Sequence, residues 1–333
     1  MKKLSVLKHF PILILLAVGF NSNAQKSDKK IKRMSVIFDT DANNELDDQQ
    51  AMAYLFFNSQ LFDTKAVTVN ATENGGNIDE QYAEADRVMR LCKVSTKIPL
   101  LKGANGSFSE IEKGLSNPNF DGYKAVNFII DEAKKHKSDK LIVLAVGKLT
   151  NIALALKKDP SITSHIRLVW LGGNYPDSGE YNLMNDIPSM NYVLNTKIDF
   201  EMVTVRYGKK SGTDAVSITK NQALENLKAA GPKITTAVQG RHGGEFYRFG
   251  DYSISLFEHV EYYGNPPSRA LFDMAAVAIV KNPTWAKSSL IPCPIMIDKK
   301  WVEQPENIRK ITIWENFDKE KIIQDFFYSM THY

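Results

Sequence analysis

Short apolar runs alternate with helix-like stretches through the first 205 residues of this chain, and that alternation limits its fold more than any other feature. Ser35–Phe38, Ala66–Val69, Leu141–Val146, Arg167–Leu171 and Glu201–Val205 read as strands, because each is a brief, largely apolar run bounded by turn residues. Between them, Asp47–Phe57, Asp79–Leu91, Tyr123–Lys135 and Asn151–Leu156 read as helices. Strands buried on both faces and separated by helices imply a mostly parallel central sheet flanked by helices, an α/β fold. A further helix pattern runs from Ala270 to Val280 and stops before Asn282-Pro283. The end of the chain reads as a strand, Ile308–Trp314, and an amphipathic helix carrying Ile322, Ile323, Phe326, Phe327 and Met330. There is no internal repeat and no low-complexity linker, so residues 34–333 read as a single domain.

The first 24 residues read as a signal peptide. Lys2, Lys3 and Lys8 precede an apolar run from Phe10 to Phe20, too short to span a bilayer, and Ser22 and Ala24 supply small residues at a cleavage site. Residues 25–33 are polar and Lys-rich, a flexible leader. The expectation is an exported protein, periplasmic or secreted, with no membrane anchor after cleavage. The formal charge of +4 comes from these two segments, since residues 34–333 hold 34 basic and 37 acidic residues. No basic stripe remains in the body, and nucleic acid is not an expected partner. Cys92 and Cys293 are the only cysteines; one disulfide or two separate thiols are both open, and a zinc site is not. A homo-oligomer is equally open.

In sheets of this kind ligands bind at the carboxyl ends of the strands. Asp39 and Asp41 follow the first strand, Glu73 and Asn74 the second, Gly147 to Asn151 the third, and Gly172 to Asn182 the fourth. The segment from Asp39 to Asp48 packs Asp39, Asp41, Glu45, Asp47 and Asp48 into ten residues. Like charges this close need compensation, and oxygen ligands suit calcium or magnesium. A solvated turn with an acidic helix cap accounts for one or two of these acids, but not for Asp39 and Asp41 directly after a buried strand. A haloacid-dehalogenase-like phosphohydrolase also places Asp-x-Asp there. It wants a Gly-Thr or similar turn next, where this chain has Ala42-Asn43-Asn44.

Several motifs in order resemble the nucleoside hydrolases. They are Asp39-Thr40-Asp41 with Asp47-Asp48 opening a helix, Gly147-Lys148-Leu149-Thr150-Asn151, Leu171-Gly172-Gly173, Glu180-Tyr181-Asn182 with Asn185-Asp186, and Phe272-Asp273. The resemblance implies calcium-dependent hydrolysis of an N-glycosidic, ribosyl bond, with Asp41 activating a metal-held water. It implies Asp41, Asp48, the backbone carbonyl of Thr150 and Asp273 as calcium ligands. It also implies Asp47, Glu180 and Asn182 as grips on sugar hydroxyls, with Asn74 (or Asn77) and Asn174 as further substrate contacts. The partner so implied is a small nucleoside or related glycoside. The chain departs from the family in a longer turn before Asp47, a shorter stretch from Gly173 to Glu180, and Phe272 in place of a His. These departures suggest a divergent secreted branch acting on some other ribosyl or glycosyl compound. Arg241 and His242 are candidates for the leaving-group side. A non-enzymatic alternative is an exported nucleoside- or sugar-binding protein on the same scaffold.

Overall fold

The structure, a computed structural model, describes Met1 and residues 32–333, and Lys32–Tyr333 forms one compact unit. The expected signal peptide and nearly all of the leader lie outside the described residues. No helix among the described residues is long and apolar enough to cross a membrane.

The chain runs through β1 (Met34–Thr40), α1 (Asp47–Phe57), β2 (Phe62–Val69), α2 (Ile78–Leu91), β3 (Leu100–Lys102), α3 (Phe108–Ile111), α4 (Tyr123–Ala133) and β4 (Leu141–Ala145). It continues through α5 (Thr150–Lys158), β5 (Ile166–Leu171), α6 (Tyr181–Asn185), α7 (Ile187–Asn195), β6 (Asp199–Val203), β7 (Ser217–Thr219), α8 (Lys220–Leu227), β8 (Val238–Gln239) and β9 (Glu245–Phe246). The last elements are α9 (Phe249–Phe257), β10 (Ser268–Ala270), α10 (Phe272–Lys281), β11 (Lys287–Pro292), β12 (Ile295–Ile297), β13 (Lys300–Val302), β14 (Lys310–Glu315) and α11 (Lys319–Thr331). Eight strands form the central sheet in the order β11-β14-β6-β5-β4-β1-β2-β3, parallel throughout except for the antiparallel edge strand β11.

The period-2 alternation of the strands divides the core between two faces. Val36 and Phe38 of β1, Ile142 and Leu144 of β4, and Val169 and Leu171 of β5 pack with α1, α10 and α11. Ile37, Leu141, Val143, Leu168 and Trp170 pack on the opposite face with α4, α5 and α7. Cys92 and Cys293 sit in different faces of this core as free, buried thiols. All of α1 is buried, as expected for a helix apolar along most of its length and covered in turn by α10 and α11. Lys281 ties those three helices together by donating to Asn58 Oδ1 at 2.7 Å and Asp325 Oδ2 at 2.5 Å.

The five early strand readings correspond to β1, β2, β4, β5 and β6, with β6 beginning two residues before and ending two residues before the expected run. Two strands of the sheet, β3 and β11, have no counterpart in the sequence reading. β3 is only three residues long, and β11 is an edge strand, so neither carries the fully apolar stretch that marks a buried strand.

Asn151, at the start of α5, fastens three strand ends at once. Its amide donates to Asp39 Oδ2 at 2.7 Å and to the Val69 carbonyl at 3.2 Å, and its Oδ1 accepts from the Ala104 N–H at 2.8 Å. Removing it leaves the Ala104 N–H without a partner and takes one of two donors from both Asp39 Oδ2 and the Val69 carbonyl. Asn151→Ala should therefore cost about 2–3 kcal/mol of stability, measured by urea unfolding in chelator; an unchanged midpoint would contradict this role.

Candidate active site

Asp39 and Asp41 lie at the carboxyl end of β1, both buried. Asp39 accepts from Thr68 Oγ1 at 2.5 Å, Asn70 Nδ2 at 2.8 Å and Asn151 Nδ2 at 2.7 Å. All its capacity faces the scaffold, so it braces the ends of β1 and β2. Burial pushes its carboxyl up to about 6, against the lowering effect of those donors. Asp41 accepts one side-chain hydrogen bond, from Thr72 Oγ1 at 2.6 Å, and burial pushes it up to about 7. It lines a cavity of about 650 Å³. Gly147, after β4, is required here: a Cβ would stand 2.8 Å from both Asp41 Oδ1 and Asn70 Nδ2.

The first turns of α1 and α10 bring three more acids to the same cavity. Oxygens of Asp47, Asp48 and Asp273 lie within 4.8 Å of one another. Burial is the main cause of their raised pKa values, and Asp47 is pushed up to about 7. Asp48 and Asp273 are held well above the usual carboxylate range by burial and by their neighbouring carboxylates. The backbone N–H of Asp273 reaches Asp47 Oδ2 at 3.4 Å, and Thr40 Oγ1 donates to Asp48. The trio thus contains Asp48 and Asp273 of the expected calcium ligands together with Asp47, which the resemblance had placed on the sugar. Asp41 lines the same cavity and raises the pKa of all three through its charge.

The opposite wall is built at the ends of β4 and β5. Glu180 caps α6, accepting from the N–H groups of Gly173, Asn182 and Leu183, each at 2.8 Å. Asn182 donates both amide hydrogens, to the carbonyls of Val146 at 2.7 Å and Leu171 at 3.1 Å. That leaves its Oδ1 to receive a hydroxyl. Asn74 lines the cavity, held by its N–H donating to Tyr181 Oη at 2.8 Å. Asn77, the alternative, is spent in a capping box at the start of α2.

Two expectations fall elsewhere. Asn174 does not line the cavity; its amide donates to the Ser178 carbonyl at 3.2 Å and accepts from the Tyr207 N–H at 2.9 Å, so it shapes a loop. His242 also lies outside the lining and stacks on His259 with ring centroids 4.2 Å apart, while Arg241 donates to the Asn43 carbonyl at 3.0 Å. Thr150 opens α5, and its hydroxyl donates to Asp186, the cap of α7.

The sequence points to Tyr263, as an aromatic able to stack on a base or to pack, but not to Tyr207, Asp214 and Arg269, which line the outer part of the cavity with it. Arg269 sits on β10, paired with β7, and forms an ion pair with Glu45 of the β1–α1 turn. The one available signal was an arginine four residues ahead of Asp273, at the start of an apolar helix pattern.

Buried carboxylates around an open cavity at the carboxyl ends of a mostly parallel sheet define an acid-lined ligand site of an α/β protein. The sequence model of the inosine-uridine preferring nucleoside hydrolases matches residues 36–324, and the chain belongs to that family. The inosine-uridine preferring nucleoside hydrolase of Leishmania major is 26% identical over 249 residues, 66% of this chain and 73% of that protein. The non-specific ribonucleoside hydrolase RihC of Salmonella paratyphi A is 26% identical over 190 residues, 51% of this chain and 60% of its own. The chain spans about half (49%) of an uncharacterised Schizosaccharomyces pombe relative, at 27% identity over 44% of its own length. Among solved structures, a plant nucleoside hydrolase superposes with a TM-score of 0.70 at 17% identity, covering 90% of this chain and 99% of the plant chain. The inosine-uridine preferring hydrolase of Bacillus anthracis gives 0.66 at 17% identity, covering 90% and 100%.

The raised carboxylates set a pH dependence. Where a folded-state pKa exceeds the unfolded one, the folded state binds more protons, so stability falls as pH rises. In chelator the unfolding midpoint should therefore fall between about pH 4 and pH 7, the window between the ordinary carboxylate value and the values near 6 and 7 of Asp39, Asp41 and Asp47. Saturating calcium should remove the fall. A midpoint that rises with pH in chelator would contradict the burial argument.

Proposed function

We propose that the chain hydrolyses the N-glycosidic bond of a ribonucleoside or related riboside, with calcium bound and Asp41 as general base. The observation that carries this reading is the single cavity holding Asp41 beside the Asp47, Asp48 and Asp273 trio. The donor set fits calcium: the trio is buried, offers only carboxylate oxygens, and repels itself without a cation. Asp48 and Asp273, with Asp41 and the Thr150 carbonyl, would hold the ion, and Asp47 has an oxygen near enough to join them. When bound, calcium neutralises the carboxylates and lowers the pKa of a coordinated water.

The chain's own residues do the rest. Asp41, with one oxygen held by Thr72 and its carboxylate lining the cavity, is placed to accept a proton from water. Asn182, Asn74 and Asp47 would receive and orient sugar hydroxyls, and Glu180, already fixed by three N–H groups, would offer a rigid carboxylate face. As the bond breaks the sugar becomes an oxocarbenium-like cation, and the surrounding carboxylates stabilise that charge. Family membership gives no support to the phosphohydrolase alternative. Export rests on the reading of residues 1–24 and remains part of this proposal.

Asp41→Asn should lower kcat by at least ~100-fold while preserving the fold, the usual scale for losing a general base. Metal analysis of the purified chain should find about one calcium per chain. Normal turnover by Asp41→Asn, or full activity without metal, contradicts the mechanism.

Among the described residues that line the cavity there is no histidine: Phe272 cannot donate a proton, and His242 lies outside the lining. Nitrophenyl riboside, whose leaving group is already acidic, should be hydrolysed at least about 100-fold better than inosine. His242→Ala should leave that ratio unchanged. Efficient inosine cleavage that disappears in His242→Ala would place the acid on His242 after all.

A further inference from the structure

The cavity has an acidic inner end and an outer end with one basic side chain. Among the described residues that line it, Arg269 is the only lysine, arginine or histidine. Arg269 is 8% exposed, its Nε has no hydrogen-bond partner, and its one ion pair is to the partly exposed Glu45. A buried guanidinium with spare donors is costly unless something else receives them. Phe272 and Tyr207 also line the cavity, and their rings meet edge to face at 5.8 Å. An aromatic wall in a cavity rich in carboxylates favours a cationic ring.

The leaving-group problem points the same way. A neutral base departs as an anion and needs a proton, and the described residues that line the cavity include no histidine or lysine to give one. Burial holds the Tyr207 hydroxyl well above its ordinary value, so it is a poor donor. A pyridinium riboside needs no donor, because its ring nitrogen already carries the charge that the bond's electron pair neutralises.

Resting on the hydrolase reading above, we propose that the substrate is a pyridinium N-riboside bearing a ring carboxylate, and that Arg269 selects it by pairing with that carboxylate. The C1′–N bond breaks and its electron pair passes to the ring nitrogen, which leaves as a neutral pyridine. The water oxygen bonds to C1′, and the water proton passes to Asp41 and then to solvent. The products are ribose, the pyridine carboxylate and one proton. Carboxylate recognition by a guanidinium is charge-assisted and bidentate, and Glu45 competes with it for the same group.

The test uses the full calcium-loaded chain with nicotinate riboside, nicotinamide riboside and inosine as probes. The nicotinate and nicotinamide compounds share a pyridinium leaving group and differ in the carboxylate. Both should exceed inosine in kcat/KM, and nicotinate riboside should exceed nicotinamide riboside by about 10-fold or more, the scale of one charged hydrogen-bonded contact. Arg269→Gln should bring that ratio to about 1, chiefly through KM, with Arg269→Lys intermediate. Glu45→Gln should move it the other way, which keeps the proposal testable if Arg269 variants fail to fold. Equal rates for the two pyridinium ribosides in the wild type, or a ratio untouched by both Arg269→Gln and Glu45→Gln, overturns the proposal and leaves riboside hydrolysis standing. Turnover of no riboside overturns the hydrolase reading instead. Calorimetric binding then decides the selectivity: nicotinate riboside binding tighter than nicotinamide riboside, and Arg269-dependent, upholds it, and equal binding overturns it.

Discussion

Carboxylates forced together in a buried place repel one another, and the rest of this structure is arranged around holding them there. Asp41, Asp47, Asp48 and Asp273 face a single cavity, each with its pKa raised chiefly by burial. The one basic side chain among the described residues of that cavity, Arg269, is paired with Glu45. What the protein supplies is a rigid frame: strand ends, helix starts and uncharged donors. Asp39 shows the contrast. It sits two residues from Asp41, yet three donors absorb it into the frame and keep it out of the chemistry.

The frame works because two helices begin where the sheet ends. α1 and α10 lie side by side, so the acids of their first turns meet, and the positive ends of both helix dipoles favour those charges. Lys281 anchors α10 to α1 and α11 far from the cavity, while Asn151 locks the ends of β1 and β2 beside it. Gly147 leaves Asp41 the space that any side chain would fill. These contacts fix the site's shape before any ligand enters, as a preorganised site requires.

Much of this was legible in the sequence because the inner site is built from strand ends, and strand ends are what apolar runs reveal. Asp41, Asp47, Asp48 and Asp273 were all recognisable in that way or from motif order. The outer cavity was not. β7 and β10 are three residues each, too short for a periodic signal, and Arg269 reaches the cavity only through their pairing. Asn174, expected on the substrate, lies outside the cavity lining, because its position after Leu171-Gly172-Gly173 says nothing about which way its amide turns. Tertiary contacts with Ser178 and Tyr207 decide that. Asn74 and Asn77 could be separated only once Asn77 proved to be the cap of α2.

The central claim, that a buried acid cluster exists to hold calcium, is tested most directly by calorimetric titration of calcium into chelator-stripped protein, repeated in buffers of different ionisation enthalpy. The raised carboxylates predict one binding site that releases protons on binding, more of them at pH 6 than at pH 8, because Asp41 and Asp47 are protonated near neutrality without the ion. Binding with no proton release at pH 6, or no binding at all, would contradict the account.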